Sequence, residues 1–326
     1  MKRIGSALAL LAAVLWAHTA LAASPKVLAA GDVAGCDSSG DSATATLLDG
    51  LPGTILALGD LAYSNGTSSE FRDCYAPTWG RHKARTRPVP GNHEYNTGGA
   101  AGYYGYFGAA AGDPAKGWYS FELGSWHVVA LNSNCDDIGG CGRSSAQGLW
   151  LEQDLDAHAN SCTLAFWHHP RFSSGDHGND TAVRDLWAIL DEHEADLVLA
   201  GHDHDYERFA AQDADGRAKA NGVRSFVVGT GGRSLRPFGS TVANSQVRSS
   251  SSYGVLELTL DPTAYAWRFR PVAGSSFTDS GSATCLGVVQ TQGCGMGPEL
   301  ALALPLLFAL RTRCSRRSRR TRKAAA

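Results

Sequence analysis

From residue 24 to residue 285 the chain alternates short apolar runs with stretches whose apolar positions recur every three or four residues. The early runs KVLAA (Lys26–Ala30) and TILAL (Thr54–Leu58), and later LVLA (Leu197–Ala200), are nearly continuous, as strands covered on both faces require. Further strands are predicted at Trp118–Leu123, Trp126–Asn132, Thr163–Trp167, Arg224–Gly229, Gly254–Leu260 and Ala264–Arg270. The last two read as a hairpin around Asp261-Pro262. Helices are predicted over Ser42–Leu48, Ser69–Trp79, Ser145–Ala159 and Thr181–His193, the third carrying Leu149, Leu151 and Leu155 among acids. No internal repeat and no long linker interrupts this order. The pattern predicts a mixed α/β fold of packed sheets flanked by helices.

Both ends break the pattern. Lys2-Arg3, the apolar run from Ile4 to Leu21 and the small-residue exit Ala20-Leu21-Ala22 have the grammar of a signal peptide over residues 1–22. Export is therefore expected, with a secreted, cell-surface or periplasmic destination and a new N-terminus near Ala23 or Ser24. Over residues 286–326, Gly293-Cys294-Gly295 leads into the apolar stretch Leu300–Leu310 and then a block from Arg311 to Lys323. That stretch is short against the ~20 residues of a spanning helix, and its basic block suits the cytoplasmic side. A C-terminal tail read by a sorting or processing protease at the membrane is expected. The body between the two ends is residues 24–285.

Charge becomes informative once the ends are set aside. Of 29 Lys and Arg residues ten lie in the two ends, leaving 19, whereas of 31 acids only Glu299 does, leaving 30. The body's net charge of −11 repels polyanions and argues against a nucleic-acid partner. Cysteine in an exported chain predicts disulfides. Cys135 and Cys141 bracket a short glycine-containing loop and are expected to pair, while Cys36, Cys74, Cys162 and Cys285 leave three pairings open. No paired CxxC spacing marks a structural zinc site.

Four times an apolar strand runs into a set of polar residues: Gly31-Asp32, Gly59-Asp60, His168-His169 and Gly201-His202-Asp203-His204. Ligands in α/β sheets bind beyond the carboxyl ends of strands, so four such ends can converge on one point. Between the second and third lies Gly91-Asn92-His93-Glu94-Tyr95, after Pro88-Val89-Pro90. Oxygen and imidazole ligands suit zinc, manganese or iron. A carboxylate such as Asp60 can bridge two cations, and a cation pair clamps the attacking and leaving oxygens of a displacement at phosphorus.

In order and spacing, GD, GDxxY (Asp60, Tyr63), GNHE, HxP and GHxHxYER resemble the calcineurin-like metallophosphoesterases, specifically their purple acid phosphatase branch. The match spans about Lys26 to Arg208. The resemblance implies a four-layer α/β/β/α sandwich of two packed mixed β-sheets flanked by helices. It implies iron(III) at Asp32, Asp60, Tyr63 and His204, and zinc, manganese or iron(II) at Asp60, Asn92, His168 and His202, with Asp60 bridging. Tyr206, Glu207 and Arg208 complete the family signature and are expected to be structural. His168 is preferred over His169 as the ligand because it holds the HxP position.

The resemblance also implies direct hydrolysis of a small phosphoester by a metal-bound hydroxide, with His93 acting on the transition state, His177 contacting substrate, and one of these two catalytic histidines assisting the departing alkoxide. A phosphomonoester, as for an acid phosphatase, is expected first; a phosphodiester or nucleotide is the rival within the class. A redox-active iron protein and an inactive binding module are disfavoured by the complete ligand set and His93. The run Gly229–Gly232 suits close approach of a strand end better than a phosphate cradle. His82, His127, His158 and His193 carry no motif and read as ordinary surface or core histidines.

Overall fold

In a computed structural model, the residues described are 23–286 apart from Asn160. The signal peptide expected over 1–22 and all but the first residue of the 286–326 tail lie outside them. Among the described residues no helix is long and apolar enough to cross a membrane.

Among the described residues thirteen strands form two mixed sheets. In the first, β1 (Lys26–Ala30), β2 (Thr54–Leu58) and β3 (Thr86–Val89) are parallel neighbours. The antiparallel β11 (Gly254–Asp261), β12 (Ala264–Pro271) and β13 (Ser280–Thr284) extend it beyond β1. In the second, β5 (Trp126–Ala130), β6 (Cys162–Phe166), β7 (Leu197–Ala200) and β9 (Arg224–Val228) are parallel. The antiparallel β4 (Tyr119–Leu123) closes one edge, and β8 (Tyr206–Phe209) with β10 (Ser245–Ser249) closes the other. The expected fold of two packed sheets with flanking helices is the one found.

Strand alternation explains the layers. Leu164 and Phe166 of β6 join the core shared with Leu28, Leu56 and Leu258 of the first sheet. Ala165 and Trp167 point the other way, against Leu151 and Leu155 of the helix Ala146–Ala157 and Leu186, Trp187 and Leu190 of the helix Arg184–Glu192. On the outer side of the first sheet, the helix Gly40–Asp49 buries Ala45 and Leu48.

The helix expected over Ser69–Trp79 is not continuous. Thr67 caps one α-turn at Ser68–Glu70, Phe71–Tyr75 widens into a π-turn, and Trp79–Arg85 is a 3-10 helix. Pro77 has no N–H to carry the ladder onward, and Cys74 is tied to Cys36. The other helices match within a few residues, Ser145 serving as a cap rather than a first turn. The hairpin loop is Pro262-Thr263, since Asp261 still pairs with Ala264. Strands β3, β10 and β13 escaped the apolar pattern because each lies at a sheet edge, where Pro88 and half-exposed polar runs are tolerated. Cys135 pairs with Cys141 as expected, and the open set resolves as Cys36–Cys74 and Cys162–Cys285.

Candidate metal centre

The C-terminal ends of both sets of parallel strands meet at one place. Gly31, just past β1, donates its N–H to Val228 of β9 at 2.9 Å, and Gly231 donates to Gly31 at 2.9 Å, so one sheet is stitched to the other there. The run at Gly229–Gly232 thus serves close approach. Asp32, Asp60 and Asn92 follow β1, β2 and β3, whereas His168, His202 and His204 follow β6 and β7. Among the described residues six non-glycines have positive φ, and three are Asp32, Asp60 and His202, at 59°, 51° and 72°. Such conformations cost of order 1–3 kcal/mol each and cluster at functional sites. Glycine is required beside them: a Cβ on Gly91 would fall 2.1 Å from Asp60 Oδ1, and one on Gly59 2.6 Å from His168 Nδ1.

All seven residues expected to bind metal lie in one group. The Tyr63 hydroxyl stands 2.9 Å from Asp32 Oδ1, 3.2 Å from Asp60 Oδ2 and 3.2 Å from His204 Nε2. On the other side of Asp60, His168 Nε2 is 3.3 Å from its Oδ2, 3.2 Å from Asn92 Oδ1 and 3.2 Å from His202 Nδ1. Asp32, Asp60, Tyr63, His168 and His204 are buried, and the others form a more open rim.

Backbone carbonyls orient the rings. His168 Nδ1 donates to Leu58 O and His204 Nδ1 to Ser234 O, each at 2.8 Å. The opposite nitrogens therefore face the group as lone pairs. His168 Nε2 thus meets the acceptor Asn92 Oδ1, a contact favourable only with a proton or a cation between them. Two cations fit this donor set, with Asp60 in both halves.

The electrostatics follow from the same crowding. Burial opposes charge on Asp60, but His168 and His93 hold its carboxyl well below the usual range. Burial likewise opposes charge on His168, yet Asp60 keeps its pKa up at about 9. His202 is driven far down by burial and by His168, His169 and His177 around it. Burial, with Asp32 and Asp60 nearby, pushes the Tyr63 phenol well above its ordinary value, so a phenolate there needs a strong cation.

On the rim, His93 Nδ1 donates to Ser64 O at 2.6 Å, leaving Nε2 3.7 Å from Asp60 Oδ2. His177 packs 4.2 Å from the His202 ring, its Nδ1 on Asp203 Oδ1 at 3.0 Å and its Nε2 3.2 Å from Arg236 Nη1. His169 also borders His202, at 4.5 Å between rings, with Nδ1 2.8 Å from Ser133 Oγ. Next to Asn92 and His169 opens a cleft of about 330 Å³, lined also by Ser133, Asp136, Asp137 and Asp180. Tyr206 and Arg208 bind Asp279, and Glu207 binds Ser174, as expected of structural residues.

Sequence reasoning missed Glu94, whose carboxylate holds the Asp60 loop, and Asp203, which holds His177. It also missed two cations after Gly232. Arg233 lies 4.9 Å over the Tyr63 ring, and Arg236 bonds His177. Their signal was positive charge in the loop following a strand-end glycine run.

The sequence profile of the calcineurin-like phosphoesterases matches residues 25–206, and the chain belongs to that family. Its relatives there include purple acid phosphatases. Over 182 residues it is 31% identical to an uncharacterized protein of Mycobacterium tuberculosis, covering 46% of this chain and 33% of that one. Over 209 residues it is 26% identical to purple acid phosphatase 23 of Arabidopsis thaliana, covering 51% of this chain and 45% of that one. The matches thus span a third to under a half of these relatives' lengths. Among solved structures, purple acid phosphatase PPD1 from yellow lupin seeds has the same fold, with a TM-score of 0.63 at 19% identity over 83% of this chain and 57% of that one.

Proposed function

We propose that this protein is an exported, binuclear metal-dependent phosphoester hydrolase acting first on phosphomonoesters. One observation carries the reading: Asp60 Oδ2 lies within 3.3 Å of both Tyr63 and His168, so a single carboxylate belongs to two donor sets. Asp32, Asp60, Tyr63 and His204 would hold iron(III), whose charge favours phenolate. Asp60, Asn92, His168 and His202 would hold zinc, manganese or iron(II). When bound, the cations polarise a phosphoryl oxygen and lower the pKa of water.

The chain's own residues supply the rest. His93, pinned by Ser64 O, presents Nε2 at the rim beside Asp60 and is placed to stabilise charge at phosphorus or give a proton to the departing alkoxide. His177 has both ring nitrogens engaged, Nδ1 by Asp203 and Nε2 by Arg236, which disfavours it as the first acid and makes it a support that holds Arg236 at the rim. Arg236 and Arg233 add positive charge for an anionic substrate. The three disulfides among the described residues agree with export to an oxidising compartment, and the tail beyond the catalytic domain is read as a signal for a membrane-associated protease.

Turnover of nitrophenyl phosphate and of bis(nitrophenyl) phosphate by metal-loaded protein tests the activity. The monoester should be hydrolysed faster. Preference for the diester would move the substrate to the rival class, and release from neither would rule out the reading.

A further inference from the structure

The cleft of about 330 Å³ beside the strand-end centre shares Asn92 with it. Three of the residues lining it are acids. Asp136 and Asp137 come from the loop that the Cys135–Cys141 disulfide closes, and Asp180 from the loop after β6. Among the described residues no Lys or Arg lines it. We propose that this cleft receives the alcohol half of the substrate and that this alcohol carries a primary amine, so that the preferred substrates are phosphomonoesters of amino alcohols. The proposal rests on the phosphoester reading above and adds a substrate class to it.

The cleft offers acceptors without a balancing cation. Among the described residues none of the three carboxylates forms an ion pair. Arg171, whose charge acts on Asp180, is turned away to Ala214 O, at 2.9 and 3.2 Å. Burial raises the Asp180 carboxyl and Asp136 raises it further, so the two acids share a space that a cation would relieve. Asn134 adds a neutral acceptor. It lines the cleft and is 6% exposed, with Nδ2 donating to Asn132 Oδ1 at 2.9 Å and to Pro90 O at 3.3 Å. Pro90 O can only accept, so that face of the amide is its N–H₂. Its Oδ1 has no donor among the described residues and is the atom left for the cleft. Carboxylate and carbonyl oxygens together call for a cation that brings N–H donors.

The charges around the centre are divided in the same sense. Arg233 and Arg236 stand by Tyr63 and His177, whereas the three acids stand by Asn92 and His169. A substrate with a phosphate at one end and an ammonium at the other fits that division. An alcohol bearing a carboxylate would meet three like charges. The lining contains no Phe, Tyr or Trp. Quaternary ammonium groups are recognised by aromatic cages, whereas a primary ammonium brings three N–H donors to oxygen acceptors. A cleft of this size takes a chain of several atoms rather than a bare metal ion. Asp136 and Asp137 are exposed and Asp180 is half-buried, so the amine stays partly hydrated and each contact is of modest strength.

The competing account is a solvated acidic rim with no ligand. The kcat/KM of full-length, metal-loaded protein for aminobutyl phosphate and for butyl phosphate separates the two, because both release alkoxides of similar basicity. Wild type should favour the amino ester by about tenfold, the scale of a few partly exposed ion contacts, and should disfavour carboxypropyl phosphate. Added salt should weaken the preference. In the double variant Asp136→Asn, Asp180→Asn the preference should fall to about twofold or less. Asparagine keeps an oxygen for the Ala182 N–H that Asp180 accepts at 2.8 Å, and the melting midpoint reports whether the fold is intact. Asp137→Asn, at an exposed side chain, is a second variant and should lower the preference in part. Equal kcat/KM for the amino and plain esters in wild type, or a preference that the double variant keeps, would overturn the proposal. Release of phosphate from none of these esters, nor from nitrophenyl phosphate, would bring down the phosphoester reading and this proposal with it.

Discussion

The carboxylate of Glu94 fixes the backbone of Asp60: its Oε2 accepts the Asp60 N–H at 2.9 Å, and the Gly91 N–H at 2.7 Å. Its Oε1 accepts from Leu61 at 2.8 Å. The left-handed turn that aims Asp60 into the site is thus held by a side chain whose oxygens are turned to backbone N–H groups. Glu94→Gln would turn an amide N–H₂ towards backbone donors. A loss of about 1–3 kcal/mol in stability is expected, together with weaker metal retention, read by denaturant unfolding and metal analysis. Unchanged values for both would mean the turn holds itself.

His93→Ala should keep both cations, because the seven remaining side chains still surround them, while turnover falls by ~10²-fold or more. His202→Ala should lose one cation. The His93→Ala defect should shrink for nitrophenyl esters, whose leaving oxygen needs no proton. Equal losses for nitrophenyl and alkyl phosphates would remove His93 as the acid.

Tyr63→Phe should bleach a visible charge-transfer band of iron-loaded protein. The hydroxyl it removes touches Asp32, Asp60 and His204 and no backbone group, so the fold should survive. A colourless wild type with stoichiometric iron argues against phenolate ligation.

Asp196 gives a pH dependence away from the metals. It is buried at the start of β7 and accepts from Thr163 N and Leu286 N at 2.8 and 2.7 Å. Burial outweighs those donors and raises its pKa from 3.8 to about 6. The folded state therefore holds the proton more tightly than the unfolded state. Its contribution to stability is full below pH 3.8 and is lost as pH rises through about 6, a span of at most about 3 kcal/mol. Asp196→Asn should flatten unfolding free energy across that window. An unaltered slope would show that another group titrates.

The disulfides should differ in worth. Cys162–Cys285 spans 123 residues and Cys135–Cys141 only 6. On chain-entropy grounds their removal should cost about 5 and about 2 kcal/mol respectively. Urea unfolding of the two double-serine variants measures both, and equal losses would show that native strain or residual structure dominates.

The chemistry was legible in the sequence where it was local. A strand followed by Gly-Asp or Gly-His places its polar side chain by backbone geometry alone, so the gathering of Asp32, Asp60 and His202 at one place could be read in order. Glu94, Asp203 and Arg236 act on residues that are distant in sequence or on backbone, and nothing in their own neighbourhood announces that. Strands β10 and β13 were invisible for another reason: half-exposed edge strands need no apolar alternation.

A two-cation centre built on Asp60 is tested most directly by returning cations to metal-stripped protein and following phosphate release from nitrophenyl phosphate. Stripped protein should be inactive, and the rate should climb until two cations per chain are bound and then level off. Full activity at one cation per chain, or without any, would contradict a centre in which Asp60 serves two metals.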